Sequence, residues 1–154
     1  MKRRAFVLGG SLGLASLAFG AGRQGKLDHT VTVFKDPTCR CCNGWIAHLK
    51  TNGFQVVAHE VKDSELRELK NKYGVPPALR TCHTGIVDEY VIEGHVPAAQ
   101  IHRILREHPK AIGLVVPGMP QGSPGMEGAR TEKYSVLLFD SKGQSLVYGQ
   151  YPEQ

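Results

Sequence analysis

Three of the four cysteines in this chain lie within four residues, as Cys39, Cys41 and Cys42, and the fourth is Cys82. Cys41 and Cys42 are adjacent and could pair with each other only in a strained ring, so the spacing does not suit a framework of structural disulfides. Thiolates are soft ligands for copper(I), zinc or iron–sulfur clusters. The spacing therefore predicts a soft-metal site, and copper(I) is favoured because it accepts low coordination numbers and bridging thiolates.

Other interpretations of the cysteines stay open. Cys39 and Cys42 form a Cys-x-x-Cys pair between a predicted strand and a predicted helix, the arrangement of thiol–disulfide oxidoreductases, in which the helix N-terminus stabilises a thiolate. Cys41 lies inside this pair and would permit unproductive disulfide exchange, which favours metal binding over dithiol catalysis. With Cys82 as a fourth ligand, the cysteines could also hold zinc in a tetrahedron, or the four could form two structural disulfides.

Two methionines and one histidine are further candidate ligands. Met119 and Met126 lie in a segment rich in glycine and proline, and loop thioethers suit copper(I), although methionine also packs under long loops. His95 lies at the end of a predicted strand, from which it could reach the rim of the site. His83 follows Cys82, and strand alternation predicts that it faces away from the site. The remaining histidines lack ligand spacing and are predicted to be solvated: His29, His48, His59, His102 and His108.

The pattern around the cysteines predicts the elements that position them. Residues Val31–Phe34 are β-branched or aromatic, and Asp36 and Pro37 end this strand just before Cys39. Trp45, Ile46 and Leu49 follow at helical spacing. The later predicted elements are a strand over 54–61, a helix from 63 to 73, strands over 78–87 and 90–96, and a helix beginning at Pro97.

This order, β-α-β-α-β-β-α, predicts an α/β fold: a thioredoxin-like mixed sheet flanked by helices. Pro76, or else Pro77, is then the candidate for the cis-proline that faces the cysteine turn in such folds. A segment rich in glycine and proline follows over 109–130, and a hairpin over 134–148 turns at Ser141-Lys142-Gly143. Residues 30–152 are predicted to form a single domain after a short linker at 21–29.

Residues 1–20 have the features of an export signal: three cations, an apolar run over 5–19, and small residues ahead of Ala21. The apolar run is shorter than the roughly 20 residues that span a bilayer, so cleavage after Gly20 and a soluble product are expected over an uncleaved anchor. Arg3 and Arg4 resemble the start of a twin-arginine signal, and an ordinary secretory signal is the alternative.

The net charge of +5 is concentrated in this leader. Removing its three cations from the 19 Lys and Arg leaves 16 against 14 acidic residues, a balance of +2. So small an excess gives no reason to expect nucleic-acid binding, which needs a clustered basic face.

The motifs taken together resemble those of the CopG-like copper-resistance family, long known only as a domain of unknown function. The resemblance covers roughly residues 30–150. It rests on the following segments: Lys35-Asp36-Pro37-Thr38-Cys39-Arg40-Cys41-Cys42, Gly74-Val75-Pro76-Pro77, Thr81-Cys82-His83-Thr84, Gly94-His95-Val96-Pro97, Pro117-Gly118-Met119-Pro120 and Ser123-Pro124-Gly125-Met126. Arg40 departs from the small residue expected at its position, which would alter charge or access without removing a ligand.

The resemblance implies a periplasmic thioredoxin-like protein of copper resistance whose cysteines bind copper(I) and bridge several ions. The implied partners are copper ions and other periplasmic copper-handling proteins, with redox interconversion of copper as a possible activity. Carried over by position, the copper ligands are the four cysteines, with Met119, Met126 and His95 as weaker carry-overs.

Overall fold

The computed structural model describes residues 29–152. The export signal predicted for 1–20 lies outside these residues, as does the predicted linker apart from His29. Within the described part, no helix is both long and apolar enough to cross a membrane.

Three helices and seven strands make up the described chain. The strands are β1 (Thr30–Lys35), β2 (Gln55–Glu60), β3 (His83–Val87), β4 (Tyr90–Glu93), β5 (Gly113–Val115), β6 (Tyr134–Phe139) and β7 (Ser145–Tyr151). The helices are α1 (Arg40–Thr51), α2 (Asp63–Lys72) and α3 (Ala98–Glu107), with a single 3-10 turn at Pro77–Leu79. The predicted order β-α-β-α-β-β-α is present from β1 to α3.

All seven strands form one mixed sheet in the order β2-β1-β3-β4-β5-β6-β7. The pairs β1–β2 and β4–β5 are parallel, and the other neighbours are antiparallel. β1 and β3 are therefore neighbours, as the second and third strands of the sheet, with Lys35 of β1 opposite His83 of β3. This pairing brings the segment after β1, which carries three cysteines, beside the segment before β3, which carries Cys82.

Helices α1 and α3 cover one face of the sheet, because alternate strand residues supply apolar side chains to each face. The larger buried cluster joins Trp45 and Leu49 of α1 to Ile101 and Ile104 of α3 and to Val33 of β1. A second cluster lies on the opposite face around Val91, Val115 and Phe139, with Tyr73 and Val75 from the end of α2 packed into it. The mixed α/β fold expected from the sequence is confirmed.

Several predicted boundaries are wrong. The strand predicted over 78–87 begins only at His83, because the prolines at 76 and 77 start a 3-10 turn instead. Cys82 therefore lies in a bend before β3. β5, which lies inside the segment rich in glycine and proline, was not predicted.

The thioredoxin-like assignment stays a prediction, and one feature expected from it is wrong. Within residues 29–152 the only cis peptide bond precedes Pro152, so the bonds before Pro76 and Pro77 are both trans. Pro76 is instead the N-cap of the 3-10 turn that precedes Cys82, and Pro77 is the first residue of that turn.

We expect Gly113→Ala to destabilise the sheet. A Cβ at Gly113 would collide with the backbone of Val91 in the neighbouring strand, so β4 and β5 could no longer pair at their present spacing. The free energy of unfolding in urea should fall by about 3 kcal/mol. Gly128→Ala is the matched control, because a Cβ there would meet only a side-chain atom of Gln121 at 3.5 Å. Equal stability of the two variants would contradict this packing.

Candidate metal centre

The turn after β1 delivers the cysteines to the start of α1. The Asp36 carboxylate accepts hydrogen bonds from the backbone N–H and the hydroxyl of Thr38, at 2.8 and 2.5 Å. These bonds hold the pKa of Asp36 below its ordinary value, so the carboxylate stays ionised. Cys39 is the N-cap residue of α1, and Cys41 and Cys42 lie in its first turn. The positive end of the helix dipole therefore faces the sulfur atoms.

All four cysteine sulfur atoms converge, each within 4.8 Å of the others. Cys39 and Cys42 form a disulfide in this structure, whereas Cys41 and Cys82 are free thiols. The Sγ atoms of Cys39 and Cys41 lie 3.4 Å apart, and the Cys42 Sγ lies 3.9 Å from the backbone oxygen of Cys82. The structure thus brings together the four cysteines that the sequence singled out. Two-electron reduction of the Cys39–Cys42 disulfide would convert both of its sulfur atoms to thiolates.

Met119 reaches this cluster from the loop after β5. Its Sδ lies 3.8 Å from the Cys41 Sγ, and its side chain is half exposed to solvent. Met126 shapes the same loop through its backbone: its N–H donates to the Ser123 carbonyl, and its carbonyl accepts from the Gly122 N–H. These contacts do not place the Met126 sulfur in the cluster.

The loop packs against α1 through two glycines. A Cβ on Gly44 would lie 2.7 Å from the Cα of Gly125, which is closer than real Cβ contacts allow. Gly125 also has a φ of +94°, a backbone conformation that residues other than glycine rarely adopt. This close approach holds the loop, and with it Met119, over the first turn of α1.

His95 is fully buried and directs one ring nitrogen towards Cys82. The Ser123 hydroxyl donates to the Pro120 carbonyl, so it accepts from the His95 Nδ1–H at 3.1 Å. The proton of neutral His95 is therefore on Nδ1, and the lone pair of Nε2 faces the Cys82 Sγ at 3.8 Å. Burial lowers the pKa of His95, which favours this neutral form.

His83 contributes a second lone pair on the same side of the cluster. Its Nε2 lies 3.0 Å from the Gly94 carbonyl, which can only accept, so Nε2 carries the proton. The Nδ1 lone pair then faces the Cys82 Sγ at 3.3 Å. Burial, with smaller effects from His95 and Lys70, lowers the pKa of His83 to about 3, so the ring is neutral. Cys82, His83 and His95 thus form a group that could hold a metal.

The expectation that His83 faces away from the site was wrong. It assumed that Cys82 and His83 alternate along one strand, but Cys82 lies in the bend before β3 and the rule does not apply there. Ser123 was also missed, since nothing in the sequence links it to His95. His48 was expected to be solvated but is half-buried, and its Nε2 accepts the N–H of Ala98 at the start of α3.

Burial disfavours the thiolate of Cys82 until something neutralises it. Loss of solvent, followed by the proximity of Cys41, raises the pKa of Cys82 to about 12. A metal that bound this sulfur would have to displace its proton, and would supply the positive charge that the buried thiolate lacks. The site therefore suits a cation better than it suits a free thiolate.

Comparison with known proteins agrees with the motifs. Residues 79–126 match the family described as a protein of unknown function, DUF411. The chain is similar to a solved structure named copper resistance protein copG, Form 1, at 45% identity with a TM-score of 0.73, over 80% of this chain and 98% of that one. Form 2 gives 44% identity and a TM-score of 0.74, over 81% and 99%. No protein with curated function matches the chain.

The chain belongs to the CopG copper-resistance family. The similarity to the CopG structures extends over nearly their whole length, and the family match over 79–126 includes the segment with Cys82. In this CopG-family chain the residues nearest the cluster come from four places: the start of α1, the bend before β3, the end of β4 and the loop after β5.

We expect Gly44→Ala to release the loop that carries Met119. Alanine favours helix, but its Cβ would collide with Gly125, so the loop should separate from α1. Limited trypsin digestion should then cleave after Arg130 on the order of tenfold faster, because local opening exposes the backbone. Asn43→Ala, at an exposed position of the same helix, is the control, and cleavage after Lys142 serves as an internal reference. An unchanged rate at Arg130 would contradict the contact.

Proposed function

We propose that this chain is a periplasmic copper-binding protein of copper resistance, exported by the signal at residues 1–20. Copper(I) is its cargo, and the four cysteines are the principal ligands. The observation that carries the proposal is the convergence of all four sulfur atoms within 4.8 Å. Copper(I) prefers soft sulfur ligands and accepts bridging thiolates, so a compact group of sulfurs suits more than one ion.

The imidazoles extend the proposal to both oxidation states of copper. His83 and His95 present neutral nitrogen lone pairs to Cys82, and Met119 adds a thioether beside Cys41. Copper(II) binds imidazole nitrogen well, whereas a site of sulfur ligands alone selects copper(I). A centre with sulfur on one side and nitrogen on the other supports redox interconversion of copper, in which the cluster keeps the ion as it gains or loses an electron.

The test is a titration of the reduced protein with copper(I) under anaerobic conditions, against a chelator of known affinity. We expect tight binding of copper(I) that exceeds the binding of zinc, together with loss of free thiols. Stronger binding of a single zinc ion would contradict the proposal and favour a tetrahedral zinc site.

A Cys41→Ser variant examines whether the sulfurs act as one cluster. Cys41 lies between Cys39 and Met119, so its loss should lower both the number of copper ions bound and the affinity for those that remain. Ser141→Ala, in the exposed hairpin turn, should bind as the parent does. If Cys41→Ser binds as many ions with parental affinity, a shared cluster is excluded.

Ser123→Ala examines the contribution of His95. The hydroxyl fixes the His95 proton on Nδ1, and residues that orient a metal ligand in this way contribute roughly 10- to 100-fold to metal affinity. We expect copper affinity about tenfold below the parent, at the low end of that range. Because the change removes two hydrogen bonds of a buried hydroxyl, the free energy of unfolding should also fall by about 1–3 kcal/mol, and affinity is measured at a temperature where the variant is folded. Parental affinity for both copper(I) and copper(II) would mean that His95 does not bind the metal.

A thiol–disulfide oxidoreductase is the second candidate, and the Cys39–Cys42 disulfide at the start of α1 favours it. Insulin reduction coupled to glutathione separates the two functions. Turnover that disappears in Cys39→Ser, with negligible copper binding by the parent, would favour the oxidoreductase. Copper binding without turnover would favour the proposed function.

A further inference from the structure

A buried ion pair is hydrogen-bonded to the residues on either side of Cys82. Lys70 of α2 is 3% exposed and Glu93 of β4 is 0% exposed, and their charged groups are in contact. The desolvation of two charges is costly, so replacement of a buried ion pair by well-packed apolar residues is often neutral or stabilising. The pair therefore calls for an explanation other than stability, and its contacts supply one.

The ion pair holds the backbone on both sides of Cys82. The Glu93 carboxylate accepts the backbone N–H of Thr81 at 2.6 Å and the Thr81 hydroxyl at 3.1 Å. The Lys70 ammonium donates to the carbonyl of His83 at 3.2 Å and to the Thr84 hydroxyl at 2.8 Å. The second carboxylate oxygen of Glu93 accepts the Thr84 hydroxyl at 2.9 Å, which closes the network.

Cys82 needs such support because the sheet does not hold it. β3 begins at His83, so Cys82 lies in the bend between the 3-10 turn and the first residue of the ladder. Backbone in a bend has more freedom than backbone in a ladder, and a thiol must be held within about 0.5 Å to complete a metal site. Lys70 and Glu93 remove this freedom from the residues before and after Cys82.

We propose that Lys70 and Glu93 are positioning residues for the copper centre, which direct the Cys82 thiol towards the other three cysteines and hold His83 beside Cys82. They act through the backbone of Thr81 and His83 and do not touch the metal. The inference rests on the proposed function only for the identity of the metal. The position of Cys82 can be measured in metal-free protein.

The test uses the full-length chain with all cysteines reduced. Lys70→Met/Glu93→Gln removes both charges together, so that neither is left buried without a partner. Lys70→Gln/Glu93→Gln also removes both charges but keeps an amide at each position, so that position 93 can still accept the Thr81 N–H, and it serves as the second variant if the first does not fold. The control is Val136→Ala, which removes two methyl groups from the core at β6 and does not touch residues 81–83.

The first measurement is the rate at which N-ethylmaleimide modifies each cysteine, resolved by peptide mass spectrometry without metal. The rate at Cys82, relative to Cys41, should rise about tenfold in the double variant, because a half-buried thiol that is no longer held in place becomes more accessible to the reagent. Lys70→Gln/Glu93→Gln should give a smaller rise, because its amides can keep part of the hydrogen-bond network. Val136→Ala should leave the ratio at the parental value even where its thermal stability is equally reduced.

The second measurement is copper(I) affinity by chelator competition, which should fall in the double variant and not in the control. A folded double variant whose Cys82 ratio stays within about twofold of the parent overturns the inference, as does a raised ratio with parental copper affinity. Failure of the parent itself to bind copper overturns the proposed function instead, while the maleimide ratio still decides whether the pair positions Cys82.

Discussion

The stack of Trp45 on His83 joins the two halves of the site. Trp45 is on α1, two turns from the first cysteine, and its ring centroid lies 4.3 Å from that of His83 at the start of β3. Its indole N–H donates to the Val96 carbonyl at 2.8 Å, just beyond His95. Gly85 allows the indole to approach the sheet, since a Cβ there would lie 3.1 Å from the ring. Trp45 therefore ties α1 both to His83 and to the residue that follows His95.

Two kinds of candidate ligand meet at Cys82. Cys39, Cys41 and Cys42 approach it from the α1 side, and the neutral imidazoles of His83 and His95 approach it from the sheet. Each imidazole is oriented by a hydrogen bond at its far nitrogen, as metal-binding histidines commonly are. Sulfur alone would favour copper(I), whereas nitrogen also accommodates copper(II). The arrangement therefore combines a group of four sulfur atoms with a second group of one sulfur and two imidazoles, and the Cys82 sulfur belongs to both groups.

The sequence predicted the parts of this structure that depend on local pattern. The three clustered cysteines, the turn at Asp36 and the helix through Trp45 are all local, and the sheet pairing of β1 with β3 follows from the order of elements. The convergence of Cys82 with the other cysteines was expected on that basis. The spaced motifs also indicated membership of the copper-resistance family.

The parts that were missed depend on contacts between distant residues. The orientation of His83 depends on the bend at Cys82, which follows the 3-10 turn, and the proton position of His95 is set by Ser123. Lys70 lies among charged residues of α2, a pattern typical of a solvent-exposed helix face. It is nevertheless buried, and Glu93 of β4 is its partner. A single sequence does not reveal such pairs.

The measurement that tests the central claim most directly is X-ray absorption at the copper edge of protein loaded with copper(I) and then oxidised. The account predicts a shell dominated by sulfur with a copper–copper distance in the reduced form, and added nitrogen scattering after oxidation; a shell of only nitrogen and oxygen in both forms would contradict it.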